Sequence, residues 1–178
     1  MIKSKWSLST LFVLLLSIFL YINLTNNTSN RNETNTNLES VTNEEMEIVI
    51  SQNPDVFPMR IALANRYFEE YDYSSALSHF MYIAQNSNEP SYISFSLAQI
   101  GWMVFESGDK NTALNYIEES INILPTSSIA KTYKGIIFIQ EDSTRSEGKE
   151  ILNGLLLDSN VELEDKKVIE EILKSYEN

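Results

Sequence analysis

Beyond residue 42, apolar side chains recur every three or four positions, with almost none of the strict alternation that marks a half-buried strand. Breakers divide this pattern at regular intervals. Asp72 and Asp109 stand where an N-cap would open a helix, and Gly108 stands where the preceding helix should stop. Asn88-Glu89-Pro90 and Pro125-Thr126-Ser127 break and restart the chain in the same way. The pattern predicts helices near 42–52, 57–70, 73–86, 91–107, 110–124, 128–140, 145–157 and 161–176, and hence an all-α fold.

The first 41 residues follow different rules. Lys3 and Lys5 precede an uncharged stretch whose apolar part runs from Leu8 to Leu24. A spanning helix needs about 20 residues at 1.5 Å each, so residues 6–24, with Trp6 and Tyr21 at the two ends, predict a short transmembrane signal-anchor. The two lysines would hold residues 1–5 in the cytoplasm and place the rest of the chain outside it, in a bacterial envelope. A cleaved secretory signal is the rival reading. Tyr21-Ile22-Asn23-Leu24 lacks the small residues a cleavage site uses, which favours the anchor. Residues 23–43 contain eight Asn and five Thr with no apolar period, so 25–41 reads as a disordered linker. Its 17 residues would reach about 23 Å by flexible-chain scaling.

Laying the predicted helices of 42–178 over one another exposes a period. Leu63-Ala64 with Tyr67, then Ala76 with Phe80, recurs 37 residues later as Ile100-Gly101 with Val104, then Ala113 with Ile117. Gly135 opens a third copy 34 residues after Gly101, and Gly148 and Leu152 take the places of the later pair, displaced by one residue. Small residues at these places would let the two helices of a hairpin approach closely, with the large ones filling the space between. The pattern resembles the tetratricopeptide repeat family, with copies near 57–90, 94–127 and 128–161. The second copy matches best, through Gly101, Gly108, Ala113 and the closing Pro125. The first has Arg60 where an aromatic is usual, and the third has Lys131 and Lys134 at normally apolar places. Residues 42–53 look like half of a degenerate earlier repeat, and 161–176 like a capping helix.

The resemblance implies a superhelix whose concave wall comes from the first helix of each pair. The residues facing it would be Ile61, Asn65, Phe68 and Glu69, then Ala98, Trp102, Phe105 and Glu106, then Thr132, Ile136, Ile139 and Gln140. Phe68, Trp102, Phe105, Ile136 and Ile139 would form an apolar strip bordered by Glu69 and Glu106. Of the family's two-carboxylate clamp only Asn65 is matched, so an apolar or mildly basic segment suits this strip better than an acidic peptide. The other reading is that Trp102 and Phe105 lie buried under the terminal helix.

Composition narrows the chemistry. The chain of 178 residues has no cysteine, one histidine and five glycines, none in a phosphate-cradling fingerprint. This points away from an enzyme and predicts no metal or other cofactor. Adjacent acids such as Glu69-Glu70, Glu118-Glu119 and Glu170-Glu171 read as solvated faces, and His79 as a surface or packing residue. Residues 31–178 carry 11 basic against 25 acidic side chains, a formal −14 that repels nucleic acid and attracts basic polypeptide. The expectation is a non-catalytic, membrane-anchored binder of another polypeptide. Two families combine one N-terminal span with a short exported repeat domain: the repeat component of bacterial cytochrome c maturation, which holds apocytochrome, and a chaperone beside the secretion channel. Asn53-Pro54-Asp55 and Gly101-Trp102 are similar to segments of the first. A self-associating scaffold is the third alternative.

Overall fold

The structure is a computed structural model that describes residues 41–176. Eight helices follow one another: α1 (Asn43–Gln52), α2 (Phe57–Glu69), α3 (Tyr73–Asn86), α4 (Pro90–Glu106), α5 (Lys110–Ile123), α6 (Ser128–Ile139), α7 (Arg145–Leu157) and α8 (Leu163–Ser175). No strand occurs among the described residues, and each helix begins and ends within two residues of its expected bounds. No helix among the described residues is long and apolar enough to cross a membrane. The expected cytoplasmic tail 1–5, anchor 6–24 and all but the last residue of the linker lie outside the described residues.

Local chemistry sets the helix ends. Thr42 and Glu45 form a reciprocal capping box on α1, the Thr42 hydroxyl accepting from the Glu45 N–H and the Glu45 carboxylate accepting from the Thr42 N–H. The Asp72 and Asp109 carboxylates accept from the N–H groups of Ser75 and Thr112, which caps α3 and α5; the side chains of those two residues, then their N–H groups, hold both acids below the usual carboxylate range. Ahead of each cap lies a residue in the left-handed region, Tyr71 at φ 63° and Gly108 at φ 98°. The N–H of Asp72 then reaches back to the Tyr67 carbonyl, and that of Asp109 to the Val104 carbonyl, closing both helix ends. The third turn is built differently. The Thr144 hydroxyl and the Arg145 guanidinium donate to the carbonyls of Phe138 and Ile139, satisfying the end of α6 with side chains.

The helices pair as α2/α3, α4/α5 and α6/α7, with α3 also packed on α4, α1 on α2 and α8 on α7. Close approach within the pairs follows the period seen in the sequence. A Cβ on Gly101 would lie 2.9 Å from the Ala113 carbonyl oxygen and 2.7 Å from the Ile117 side chain. One on Gly135 would lie 2.7 Å from Leu152, and one on Gly148 would lie 2.5 Å from the backbone nitrogen of Ile139. Gly148 thus occupies the place opposite Gly135 that Ala113 occupies opposite Gly101, despite its one-residue displacement. Leu63, Ala64, Ala76 and Phe80 are all buried, while Tyr67 is half-buried. Pro125 lies exposed in the α5–α6 turn. The main core joins α2 to α6, a second one lies under α8 around Ile139, Leu152 and Ile169, and a third seats Met46 and Ile50 of α1 on Ala62 and Leu63.

Candidate functional site

The face of α2, α4 and α6 expected to form an open apolar strip is closed. Ile61, Asn65, Phe68, Ala98, Trp102, Thr132, Ile136 and Ile139 are all buried. At Trp102 the physical reason is Tyr133, whose ring stacks on the indole at 4.8 Å while Phe105 packs on it at 5.4 Å; at Phe68 it is Tyr73, 5.4 Å away. Tyr133 is itself fully buried, its hydroxyl donating to Gln99 Oε1 at 2.9 Å, and burial pushes its phenol well up. Trp102 is therefore an interior residue, stacked on Tyr133 of α6, and Ile172 of the terminal helix packs against the same core. Tyr133 was missed as a packing partner; its only signal in the sequence was its place 34 residues after Gln99, the spacing that separates Gly101 from Gly135.

What remains accessible lies where α2 and α4 end. Glu69 is exposed, and Phe105, Glu106 and Gln140 are half-buried. Glu69 and Glu106 are the last residues of their helices, where the macrodipole presents its negative end and a carboxylate is electrostatically misplaced. Burial raises the Glu69 carboxyl, opposed by Arg66, and burial alone raises that of Glu106. No basic side chain forms an ion pair with Glu106 among the described residues. Aromatic rings border the two acids. Tyr73 packs against Phe68 at 5.4 Å and against the exposed Tyr71 at 6.2 Å, and its phenol is raised first by burial and then by Glu106. One turn before Glu69, the buried Asn65 has neither amide atom hydrogen-bonded.

A second polar group was not anticipated. His79 is buried on α3, with Glu47 of α1 3.0 Å from its Nε2 and Arg60 of α2 3.2 Å from its Nδ1. Both ring nitrogens are thereby engaged, leaving none to activate a serine hydroxyl. A cavity of about 450 Å³ opens beside them, lined in part by Ser51, Ser75, Ser78 and Tyr82. A larger cleft, about 960 Å³, lies between α5, α6 and α7 and mixes Lys131 and Lys134 with Glu147 and Glu150. No group of three or more histidine or acidic side chains placed to hold a metal occurs among the described residues.

No family model, curated protein or solved structure matches the chain.

Proposed function

We propose that this chain is a non-catalytic repeat protein of the tetratricopeptide type, anchored through residues 6–24, that binds another polypeptide at the edge formed by Glu69, Phe105 and Glu106. The observation that carries this reading is Glu106 itself. Its half-buried carboxylate sits at a helix C-terminus without a cationic partner, near the rings of Phe105 and Tyr73. A lysine or arginine from a partner would neutralise that charge, meet the dipole end of α4 and lie against an aromatic face. The body's net charge supports the same preference, since a formal −14 over residues 31–178 draws in basic chains and repels nucleic acid. The anchor would raise the effective concentration of this edge toward membrane-bound partners. An apocytochrome or a segment emerging from a secretion channel has suitable chemistry, being extended, partly apolar and often basic.

The test is photo-crosslinking in cells, with a photoreactive residue at position 105 and a control at the exposed Glu119. An adduct at 105 that is lost on Glu106→Lys supports the edge, and the mass of the captured chain identifies the partner class. Adducts of equal yield at 105 and 119, or an adduct indifferent to the charge at 106, would remove this site from consideration. A crosslinked product twice the mass of the chain would assign the edge to self-association.

A further inference from the structure

The junction of α1, α2 and α3 is held by hydrogen bonds whose directions leave one histidine state. Arg60 can only donate, so the Nδ1 atom of His79, 3.2 Å from its Nη1, must carry a lone pair. The proton of the neutral ring is then on Nε2 and is donated to Glu47 Oε1, which also accepts from the Tyr67 hydroxyl at 3.0 Å. The Tyr67 ring stacks on the imidazole at 5.7 Å, fixing its plane. Arg60 has a second task. Its Nε and Nη2 donate to the Pro54 carbonyl at 3.1 and 2.9 Å, and its guanidinium lies 3.9 Å from the centre of the Tyr82 ring. The same guanidinium thus fixes both the imidazole and the turn that connects α1 to α2.

We propose that His79 is a proton-gated joint: a proton on Nδ1 would drive Arg60 away from the imidazole and from the Pro54 carbonyl, freeing the turn at 53–56. Protonation places two donors and two positive charges where a donor and an acceptor now meet; both side chains are buried, and the cavity beside them gives Arg60 a path outward. Every charged or titratable neighbour enters the balance. From α1, Glu47 favours the proton and Glu44 adds a weaker field at Tyr67. Burial disfavours the charge on Arg60, while Tyr82, then Glu47, then Asp55 favour it; Asp55, in the turn, also accepts from the Tyr82 hydroxyl at 3.0 Å and offers the displaced guanidinium an outward partner. From α2, Arg60 opposes the proton, while the hydroxyl of Tyr67 only donates to Glu47. Asp72, ahead of α3, acts on Tyr67 alone. Burial outweighs the attraction of Glu47 and holds the imidazole below its ordinary value. Glu47 keeps its hold on the ring in both states, so acid loosens the turn before it loosens α1.

His79 is the chain's one histidine, which makes the test direct. Imidazole nitrogen spectra of the full chain in detergent micelles report which nitrogen carries the proton, with no assignment needed. At pH 7.5 the proton is expected on Nε2 alone. Nδ1 should gain its proton with a midpoint below the ~6.5 of a free imidazole. The amide signals of Asn53, Asp55 and Val56 should move with that same midpoint. His79→Gln can donate to Glu47 and accept from Arg60, so it should fold as the parent does and lose the shift of the turn. The proposal falls if Nδ1 is protonated at pH 7.5, or if His79 titrates at or above the free value. It falls equally if the turn is silent, if the response survives in His79→Gln, or if the midpoint of the turn differs from that of the Nδ1 signal.

Discussion

Tyr71 and Gly108 occupy the same place in two successive hairpins, 37 residues apart, and both are left-handed. A side chain in that region costs about 1–2 kcal/mol, and glycine escapes the cost. Tyr71 is 65% exposed, so its ring recovers little of it through packing. Tyr71→Gly is therefore expected to stabilise the fold by up to about 1 kcal/mol, after the extra unfolded-state freedom of glycine is subtracted. Gly108→Ala should destabilise by about 1 kcal/mol through the backbone alone, because its Cβ would meet nothing within 4 Å. Urea midpoints of the two variants should move in opposite directions. Asp165 offers a second measurement at this scale. Its carboxyl is buried on α8 with one oxygen unpartnered, and burial, aided by Glu162 and Glu164, pushes its pKa up to about 6. A folded-state value above the unfolded 3.8 means that its stabilising share is complete below about pH 4 and is lost as the pH rises through about 6. Asp165→Asn should raise stability at pH 7 by at most about 3 kcal/mol and leave it unchanged below pH 4, as read from thermal melts across that range.

The helix pairs depend on a few backbone approaches that no side-chain movement can relieve. Gly148→Ala would drive a Cβ to 2.5 Å from the Ile139 nitrogen and 2.8 Å from the Gly135 oxygen, so α7 must shift away from α6, at a cost of about 3 kcal/mol or more. Gly154, on the same helix, has open space around it, and Gly154→Ala should instead stabilise by about 0.5–1 kcal/mol through helix propensity. Calorimetry of the two variants separates packing from propensity within one element. These approaches were legible in the sequence because small residues recur at fixed offsets, and the helix ends because Asp72, Asp109 and Pro90 act on their own neighbours; the Thr42 cap was not read. The closed face was not legible. Whether Trp102 meets solvent depends on Tyr133, a residue on another hairpin 31 positions away, whose ring stacks on it. The His79 junction escaped for a similar reason: its partners lie 19 and 32 residues away, on two other helices, and no local pattern joins them.

At the scale of the molecule, residues 31–178 carry a formal −14, and the carboxylate of Glu106 sits at one edge without a cationic partner. Association with a basic partner should therefore fall in rate, on the order of tenfold, as salt is raised from low to physiological strength, with a smaller change in dissociation. Stopped-flow mixing with a lysine-rich peptide would measure it, and a rate indifferent to salt would argue against electrostatic steering. The attachment of α1 carries a mechanical consequence. It rests on Met46 and Ile50, the Glu47 bond to His79, and the grip of Arg66 on Val41 and of Asn43 on Glu70. The α4/α5 pair, by contrast, is locked by Gly101 against Ala113 and by the buried hydrogen bond between Ser94 and Ser120. Tension entering the fold at residue 41 therefore first meets a seam thinner than any of the three helix pairs. In an optical trap, pulling from that end should peel α1 away in a small early step, leaving the paired helices to yield later and together, so that α1 works as a fuse protecting the rest of the fold from a pull on its N-terminus.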